Sequence, residues 1–362
     1  VLEIDLSMLV LVIKNKNVKT ELKNTYTFFT LKNLLIYVNT FMYPFFDLTN
    51  CHIARNENFI SLVSLEFLQV FTTLFRRSLF ANYPFSVKNA YTFTKEIELS
   101  CTKLREQWRA GKPAFGMWAA LPGTFSVELM ASPGVSYICV DQQHGVIDYA
   151  DALGMFVAAE ARGVTAITRV PANEPWMIGK ALDAGAQGVI VPLVNSRAEA
   201  MAAVAACRYP PHGLRSFGPI RAAVVSESRD AASLSANVLC FVMVETRQAL
   251  ENIEEIASTP GLDGIYVGPA DLALGLGLPP DLDKTEPEHV QAVQTILQAC
   301  QRHNITAGIQ CASGASGKKY ADQGFRLVTI GKDSSLLQTA AKKEVHAAHG
   351  GDPAAIVQGG YT

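Results

Sequence analysis

From Leu104 onward, short and almost uninterrupted apolar runs alternate with longer, Ala-rich amphipathic segments. Near-continuous apolar runs are typical of strands that a parallel sheet buries on both faces. The longer segments have the apolar spacing of helices that cover such a sheet. The apolar runs predict strands over Phe115–Ala120, Tyr137–Asp141, Thr165–Arg169, Gly188–Leu193, Leu239–Val244, Gly264–Val267, Thr306–Gln310 and Leu327–Ile330. The predicted helices include Leu104–Ala110, Tyr149–Arg162, Glu174–Ala184, Arg197–Arg208 and His289–His303.

The alternation of strands and helices favours one architecture. Eight strands that are each followed by a helix correspond to a (β/α)8 or TIM barrel, an α/β fold of about 250 residues. The alternative is an open doubly wound sheet, which normally carries a glycine-rich phosphate-binding turn after its first strand. Here the first strand is followed by Leu121-Pro122-Gly123, which is not such a turn.

The composition changes abruptly near the start of this pattern. Residues 1–110 contain no glycine, and all 26 glycines follow. Two segments this different are not expected to share one core. We therefore predict an N-terminal extension over 1–103 outside the catalytic fold, a barrel over 104–350 and a C-terminal tail over 351–362. Since the chain begins with Val1 rather than Met, the extension is interpreted as an artefact of the gene model. The alternative is a peripheral membrane anchor.

Charge and cysteine usage limit the partners and the compartment. The formal net charge of −2 does not favour binding to nucleic acid or to an anionic membrane. The seven cysteines are scattered and form no CxxC pair. Scattered free cysteines are typical of a reducing compartment, so we expect a cytoplasmic protein.

Polar residues stand where several predicted strands end. Glu245 follows one buried run, and Asp271 follows the next run after Gly268-Pro269-Ala270. In a barrel the C-terminal strand ends carry the chemistry, so the two carboxylates would point into one space. Oxygen ligands of this kind suit a hard divalent cation. The alternative is that Glu245 caps the next helix and Asp271 caps a turn.

Two more strand ends add groups that suit acid–base and anion chemistry. His144 follows the second strand, and Arg169 ends the third. A lone histidine is more often structural. His144, however, stands in the same ring of strand ends as Arg169, Glu245 and Asp271, and this position favours a catalytic role. The remaining histidines are interpreted as structural or solvated, and they include His289 and His303.

Six motifs follow one another along the predicted barrel. They are VDQQHG (140–145), TRVPANEP (168–175), KALDAGAQGVIVPLV (180–194), RYPPHGLRS (208–216), VMVET (242–246) and GPADLA (268–273). In this combination the chain resembles the HpcH/HpaI family of class II pyruvate aldolases, to which macrophomate synthase is related. The resemblance covers about residues 104–348 and implies a TIM barrel of the phosphoenolpyruvate/pyruvate-domain type.

The resemblance also implies roles for the residues at the strand ends. Glu245 and Asp271 would hold Mg²⁺, Mn²⁺ or Co²⁺, with water and pyruvate oxygens completing the shell. Arg169 would bind the keto oxygen of pyruvate as it becomes an enolate. His144 would transfer protons through a metal-bound water, with Asp183 orienting its ring.

Substrate binding and assembly are implied in the same way. Backbone amides of the segment Gly268-Pro269-Ala270-Asp271 would bind the pyruvate carboxylate. The substrates would be pyruvate or another 2-oxo acid together with an aldehyde. The family forms homo-hexamers with a swapped last helix, which here corresponds to Leu336–His349.

The implied function is a divalent-metal-dependent aldolase that cleaves or forms 4-hydroxy-2-oxo acids through a pyruvate enolate. A cation and an arginine aimed at the developing oxyanion would stabilise it, and a histidine has a suitable pKa for the proton transfer. Two positions depart from the pattern of the family. Family members often have an acid directly before the histidine, where this chain has Gln143, and many have Gln two residues before the metal-binding glutamate, where this chain has Met243. Both departures leave the aldehyde specificity open.

Three other interpretations compete with the metal-dependent aldolase. One is a decarboxylase of oxaloacetate-like acids that uses the same enolate, as in macrophomate synthase. Another is a Schiff-base aldolase, for which Lys332 at the end of the eighth strand is the candidate. The last is a non-catalytic barrel, which would have no need of the full polar set.

Overall fold

A computed structural model describes residues 100–356 of the chain. Its eight strands form one closed parallel barrel in which each strand pairs with the next and β8 pairs with β1. This is the TIM-barrel architecture that the strand pattern predicted. The strands are β1 Ala114–Ala119, β2 Tyr137–Asp141, β3 Thr165–Arg169, β4 Gly188–Val191, β5 Leu239–Val244, β6 Gly264–Val267, β7 Thr306–Gln310 and β8 Leu327–Lys332.

Helices precede and connect the strands and cover the outside of the barrel. They are α1 Ser100–Arg109, α2 Thr124–Ala131, α3 Tyr149–Ala161, α4 Pro175–Asp183, α5 Arg197–Cys207, α6 Ala222–Val225, α7 Ala231–Ala236, α8 Arg247–Glu251, α9 Ile253–Ala257, α10 Pro269–Gly275, α11 Pro287–Arg302, α12 Gly314–Gln323 and α13 Asp333–Ala348. Residues 1–99 of the predicted extension and 357–362 of the predicted tail lie outside the described residues. Within residues 100–356, every helix is too short or too polar to cross a lipid bilayer.

Helix α1 closes the N-terminal end of the barrel. It begins a few residues before the predicted boundary at 103, and its Leu104 is fully buried among the side chains inside the barrel. The ring of Trp108 contacts that of Phe241 edge-on, with the ring centroids 5.9 Å apart. Its Nε1 donates to the carbonyl oxygen of Arg326, directly before β8. Because strand β8 starts there, α1 covers the end of the barrel opposite to its C-terminal strand ends.

The barrel interior is packed rather than hollow. Its apolar side chains include Tyr137, Ile167 and Phe241, and they form a cluster separate from the one between strands and helices. Polar atoms inside it are paired. The hydroxyl of Thr329 lies 2.7 Å from that of Tyr137 and 2.6 Å from that of Tyr266. These contacts satisfy both buried phenols, which would otherwise be costly in an apolar core.

Strand β4 ends earlier than the apolar run predicted. It stops at Val191 instead of continuing to Leu193. Pro192 has no N–H to offer to the ladder. Leu193 then adopts a φ of 55°, in the left-handed region, where a strand cannot continue. A non-glycine residue pays about 1–2 kcal/mol for this conformation, so the turn is held by contacts elsewhere.

Candidate active site

A cavity opens at the C-terminal ends of the strands, where TIM barrels carry their active sites. Side chains from β1, β2, β3, β5, β7 and β8 bound it together with the residues that follow β6. The lining residues are Trp118, Ala120, Asp141, His144, Arg169, Met243, Gly268, Pro269, Ala270, Asp271, Leu282, Gln310, Cys311, Ala312, Lys332 and Ser335. The cavity therefore brings together most of the residues to which the sequence assigned roles.

Arg169 is held rigidly at the bottom of this cavity. Its Nε and one terminal nitrogen donate to the two carboxylate oxygens of Asp141 over 2.9 and 2.6 Å. Strands β2 and β3 place these two residues side by side in the ladder. The guanidinium also lies 5.1 Å from the centroid of the Trp118 ring, a cation–π distance. Burial opposes the charge on Asp141, but Arg169 outweighs it and the pKa of Asp141 is lowered.

Asp141 also fixes the loop that carries His144. Oδ1 of Asp141, which accepts from Nε of Arg169, also accepts from the backbone N–H groups of Gln143 and His144 over 3.1 and 3.2 Å. The loop is thereby tied to the end of β2, and His144 remains exposed at the mouth of the cavity. One buried carboxylate thus positions both the cationic and the titratable residue of the site.

Glu245 is buried next to the cavity with one oxygen unpaired. Its Oε1 accepts the backbone N–H of Leu193 over 2.8 Å, which is the contact that holds the left-handed turn after β4. Its Oε2 has no hydrogen-bond partner among the described residues. Burial raises the pKa of Glu245 to about 7, and the negative charge of Asp271 adds to the rise. A buried, unpaired carboxylate oxygen of this kind calls for a cationic partner.

The backbone of Gly268, directly after β6, lies close to the side chain of Glu245. A Cβ at Gly268 would lie 2.5 Å from Oε2 of Glu245 and 2.9 Å from the methyl carbon of Met243. A methyl group at this position would force the ends of both side chains to move. Helix α10 then begins at Pro269 and places Asp271 in its first turn, half-buried at the cavity wall. The first N–H groups of a helix have no acceptor within it, so they are available to an anion.

The residues present fit a divalent cation. The orphaned Oε2 of Glu245 and the carboxylate of Asp271 are hard oxygen donors, which suit Mg²⁺ or Mn²⁺. Among the described residues, no three His, Cys, Asp or Glu side chains cluster closely enough to hold an ion together. Two protein carboxylates with water and substrate oxygens match the way Mg²⁺ is usually held.

Asp183 lies outside the cavity within a single chain. Helix α4 starts beyond the end of β3 and runs back, so Asp183 lies near the start of β4, at the opposite end of the barrel from His144. There its Oδ1 accepts from a terminal nitrogen of Arg215 over 2.7 Å. Arg215 in turn lies 4.6 Å from the centroid of the Tyr209 ring. Within a single chain helix α4 thus carries the Asp183 carboxylate away from His144, and the role of Asp183 in orienting the His144 ring stays a prediction.

The sequence did not assign roles to three groups that shape this site. Asp141 ends an apolar run just as Glu245 follows one, so its position was a readable signal for a functional carboxylate. Trp118 belongs to no motif, and only the pairing of β1 with β2 and of β2 with β3 in the folded barrel brings its ring near Arg169. The N–H of Leu193 has no signal in the sequence, because any residue type carries one.

Known proteins resemble this chain over the barrel. Residues 114–340 match the HpcH/HpaI aldolase/citrate lyase family. A hydroxypyruvate/pyruvate aldolase of Rhizorhabdus wittichii is 40% identical over 243 residues, which make up 67% of this chain and 97% of that protein. A 4-hydroxy-2-oxo-heptane-1,7-dioate aldolase of Salmonella paratyphi A is 32% identical over 241 residues, which make up 66% of this chain and 91% of that protein.

A solved structure agrees with the fold and with these relatives. The HpcH/HpaI aldolase/citrate lyase family protein of Burkholderia cenocepacia J2315 has a TM-score of 0.64 and 32% sequence identity to this chain. The match covers 68% of this chain and 99% of that protein. Family, relatives and barrel thus point the same way. This chain belongs to the HpcH/HpaI aldolase/citrate lyase family and is an aldolase, an enzyme of the lyase class.

Proposed function

We propose that the protein is a divalent-metal-dependent pyruvate aldolase that cleaves or forms 4-hydroxy-2-oxo acids. The observation that carries this proposal is the buried Glu245, whose unpaired Oε2 lies beside the cavity that Arg169 and His144 line. A carboxylate buried at this cost, with a second carboxylate close enough to raise its pKa, is the arrangement expected of a cation site.

The cleavage breaks the bond between C3 and C4 of the 2-oxo acid. A base removes the proton of the 4-hydroxyl group, C4 leaves as the aldehyde carbon, and the electron pair of the broken bond forms the enolate of pyruvate. A proton added to C3 then completes pyruvate. In the direction of synthesis, the same enolate attacks an aldehyde. The enzyme must therefore stabilise an oxyanion on C2 and move one proton at each end of the reaction.

A cation held by Glu245 and Asp271 would supply a Lewis acid at the 2-oxo group. Arg169, fixed by Asp141 and Trp118, points a permanent positive charge into the cavity and stabilises the enolate oxygen. Backbone N–H groups at the start of α10 bind the substrate carboxylate. His144, tied to Asp141 through its own N–H, transfers the protons.

The donor substrate is pyruvate or a closely related 2-oxo acid. The names of two relatives, hydroxypyruvate/pyruvate aldolase and 4-hydroxy-2-oxo-heptane-1,7-dioate aldolase, support a donor of this class. The acceptor is an aldehyde. Met243 presents an apolar wall to the cavity beside Gly268, so this part of the cavity is less polar than it would be with an amide there.

A test of the proposal needs no knowledge of the aldehyde. Reversible enolisation exchanges the methyl protons of pyruvate for deuterium in D₂O, and proton NMR follows the loss of the methyl signal. We expect exchange with Mn²⁺ or Mg²⁺, none with EDTA, and none in the Glu245→Gln variant. Exchange that survives both chelation and the substitution would refute the metal mechanism.

Two further measurements separate the competing chemistries. Lys332 lines the cavity at the end of β8, so a Schiff-base enzyme would be trapped covalently by borohydride in the presence of pyruvate. The metal-dependent enzyme would remain unmodified. Faster release of pyruvate from oxaloacetate than from any 4-hydroxy-2-oxo acid would identify a decarboxylase instead.

We further propose that the enzyme is a homo-oligomer, as the family resemblance implied for a hexamer with a swapped last helix. Helix α13 supports this proposal, because Asp333 is its single buried residue within the described chain. Leu337 and Val345 are 64% and 60% exposed on it. Apolar side chains on an otherwise uncovered helix favour burial against another copy. Light scattering coupled to gel filtration tests this, and Leu337→Glu should reduce the mass of the particle.

A further inference from the structure

His289 is completely buried and lies at the start of α11, away from the lining of the cavity. Its Nε2 lies 2.9 Å from the carbonyl oxygen of Pro269, the first residue of α10. Its Nδ1 is buried and has no hydrogen-bond partner among the described residues. Nothing in the sequence distinguishes this histidine from the other histidines of loops and helix ends.

The contact defines the protonation state of the ring. A carbonyl oxygen can only accept, so Nε2 carries the proton that it donates. A second proton on Nδ1 would create a buried donor without an acceptor and a buried charge, both of which are costly. Burial accordingly lowers the pKa of His289. The ring is therefore a neutral, permanent donor to Pro269.

This bond joins the two ends of a segment that bounds the cavity. Between Pro269 and His289 the chain contains Asp271, the proposed cation ligand, and Leu282, which lines the cavity and is only 6% exposed. Leu282 belongs to the loop between α10 and α11, and the bond to Pro269 fixes the base of that loop against the first turn of α10. A shift of that turn moves the Asp271 carboxylate and the backbone that binds the substrate carboxylate.

We propose that His289 is a positioning residue that holds the first turn of α10, and with it Asp271, in the geometry required for cation and 2-oxo acid binding. The inference rests on the proposed function, because it assigns His289 to the same site. It acts through the backbone of Pro269 and touches neither substrate nor cation. Loss of the His289 side chain should therefore weaken binding of the cation and of the 2-oxo acid more than it lowers kcat.

Three variants of the full chain test the inference. His289→Leu removes the donor, and His289→Gln keeps an N–H group of similar reach. His303→Leu is the matched control, since His303 follows the other end of α11 and binds the exposed Glu254. The Kd for Mn²⁺ is measured by calorimetry, and KM and kcat are measured by the deuterium exchange of pyruvate. Urea unfolding reports stability separately.

The expected result is a rise of about tenfold or more in the Kd for Mn²⁺ and in KM for His289→Leu, with a smaller change in kcat. His289→Gln should recover most of the loss, and His303→Leu should leave both constants unchanged. If His289→Leu does not fold, the shorter His289→Asn, whose amide cannot reach Pro269, takes its place.

Two results would overturn the inference. One is a Kd and a KM within twofold of the wild type in His289→Leu or His289→Asn, since the residue would then serve stability alone. The other is a Gln variant as impaired as the Leu variant. If the wild-type protein neither binds Mn²⁺ nor exchanges pyruvate protons, the proposed function fails and this inference fails with it. Normal wild-type exchange with unaffected variants would refute the role of His289 alone.

Discussion

Replacing Glu245 by Gln should stabilise the metal-free enzyme at alkaline pH while it removes activity. The structure gives Glu245 a pKa of about 7, raised from 4.5 by burial and by the charge of Asp271. A carboxyl group with a raised pKa in the folded state binds its proton more tightly there than in the unfolded chain. Its contribution to stability is therefore fully present below pH 4.5 and is lost as the pH rises to about 7.

The size of the effect follows from the shift. The difference between about 7 and 4.5 is about 2.5 pKa units, and at 1.36 kcal/mol per unit it corresponds to about 3 kcal/mol. Glu245 is only 2% exposed, so solvent screening does not reduce this figure much. Gln carries no charge at any pH and avoids the penalty. Most of the difference, about 2.5 kcal/mol, should appear between pH 5 and pH 8.

Urea unfolding in the presence of EDTA measures this difference. Wild type, Glu245→Gln and the control Glu251→Gln are compared at pH 5 and pH 8. Glu251 is an exposed glutamate at the end of α8, so its substitution should change the free energy of unfolding little at either pH. The reasoning would be refuted if the difference in the free energy of unfolding between wild type and Glu245→Gln were equal at the two pH values. A variant that is less stable than wild type at pH 8 would also refute it. Added Mn²⁺ should stabilise the wild type and not the variant.

Three further substitutions probe other parts of the structure. Asp141→Asn should slow deuterium exchange of pyruvate by about 10–100-fold with little change in the Kd for Mn²⁺, because it releases Arg169 from its paired oxygens. Gly268→Ala should weaken Mn²⁺ binding in calorimetry by tenfold or more, because its Cβ would lie 2.5 Å from Oε2 of Glu245. Thr329→Val should lower the free energy of unfolding by about 2–4 kcal/mol, because two buried phenols lose their common partner.

Matched substitutions separate these effects from general damage. Gly179→Ala adds a methyl group where nothing lies within 4 Å, so it should leave Mn²⁺ binding unchanged. Thr329→Ser keeps the hydroxyl group and should retain most of the stability. Equal damage from Gly179→Ala and Gly268→Ala, or from Thr329→Ser and Thr329→Val, would contradict the explanations given.

The barrel could be predicted from the sequence because its signal is local. Each strand is an apolar run, and the catalytic end of the barrel follows from the direction in which the runs point. Glu245 and Arg169 stand at the ends of such runs, so their convergence at one end of the barrel required only the fold. The end of β4 was missed since Pro192 and Leu193 are apolar like the strand before them, and only the φ of Leu193 reveals the turn.

The contacts of the site depend on features that a motif does not contain. Asp183 belongs to a motif of the same family as His144, but helix α4 separates the two residues along the barrel axis. His289 lies outside every motif, and its contact with Pro269 depends on how α11 folds back after a loop. The chemistry of a side chain could be inferred from its position in the sequence. Its contacts with residues of other helices and strands became visible only in the folded structure.

The turn after β4 places few demands on the type of residue at position 193. The peptide N–H, and not the side chain, holds Oε1 of Glu245, and the side chain itself is 53% exposed. Almost any residue could therefore occupy this position without changing the chemistry, and glycine would relieve the left-handed backbone. The identity of the residue thus carries no information about its task. Part of the active site thus consists of main-chain atoms, and a comparison of side chains between related sequences cannot detect it.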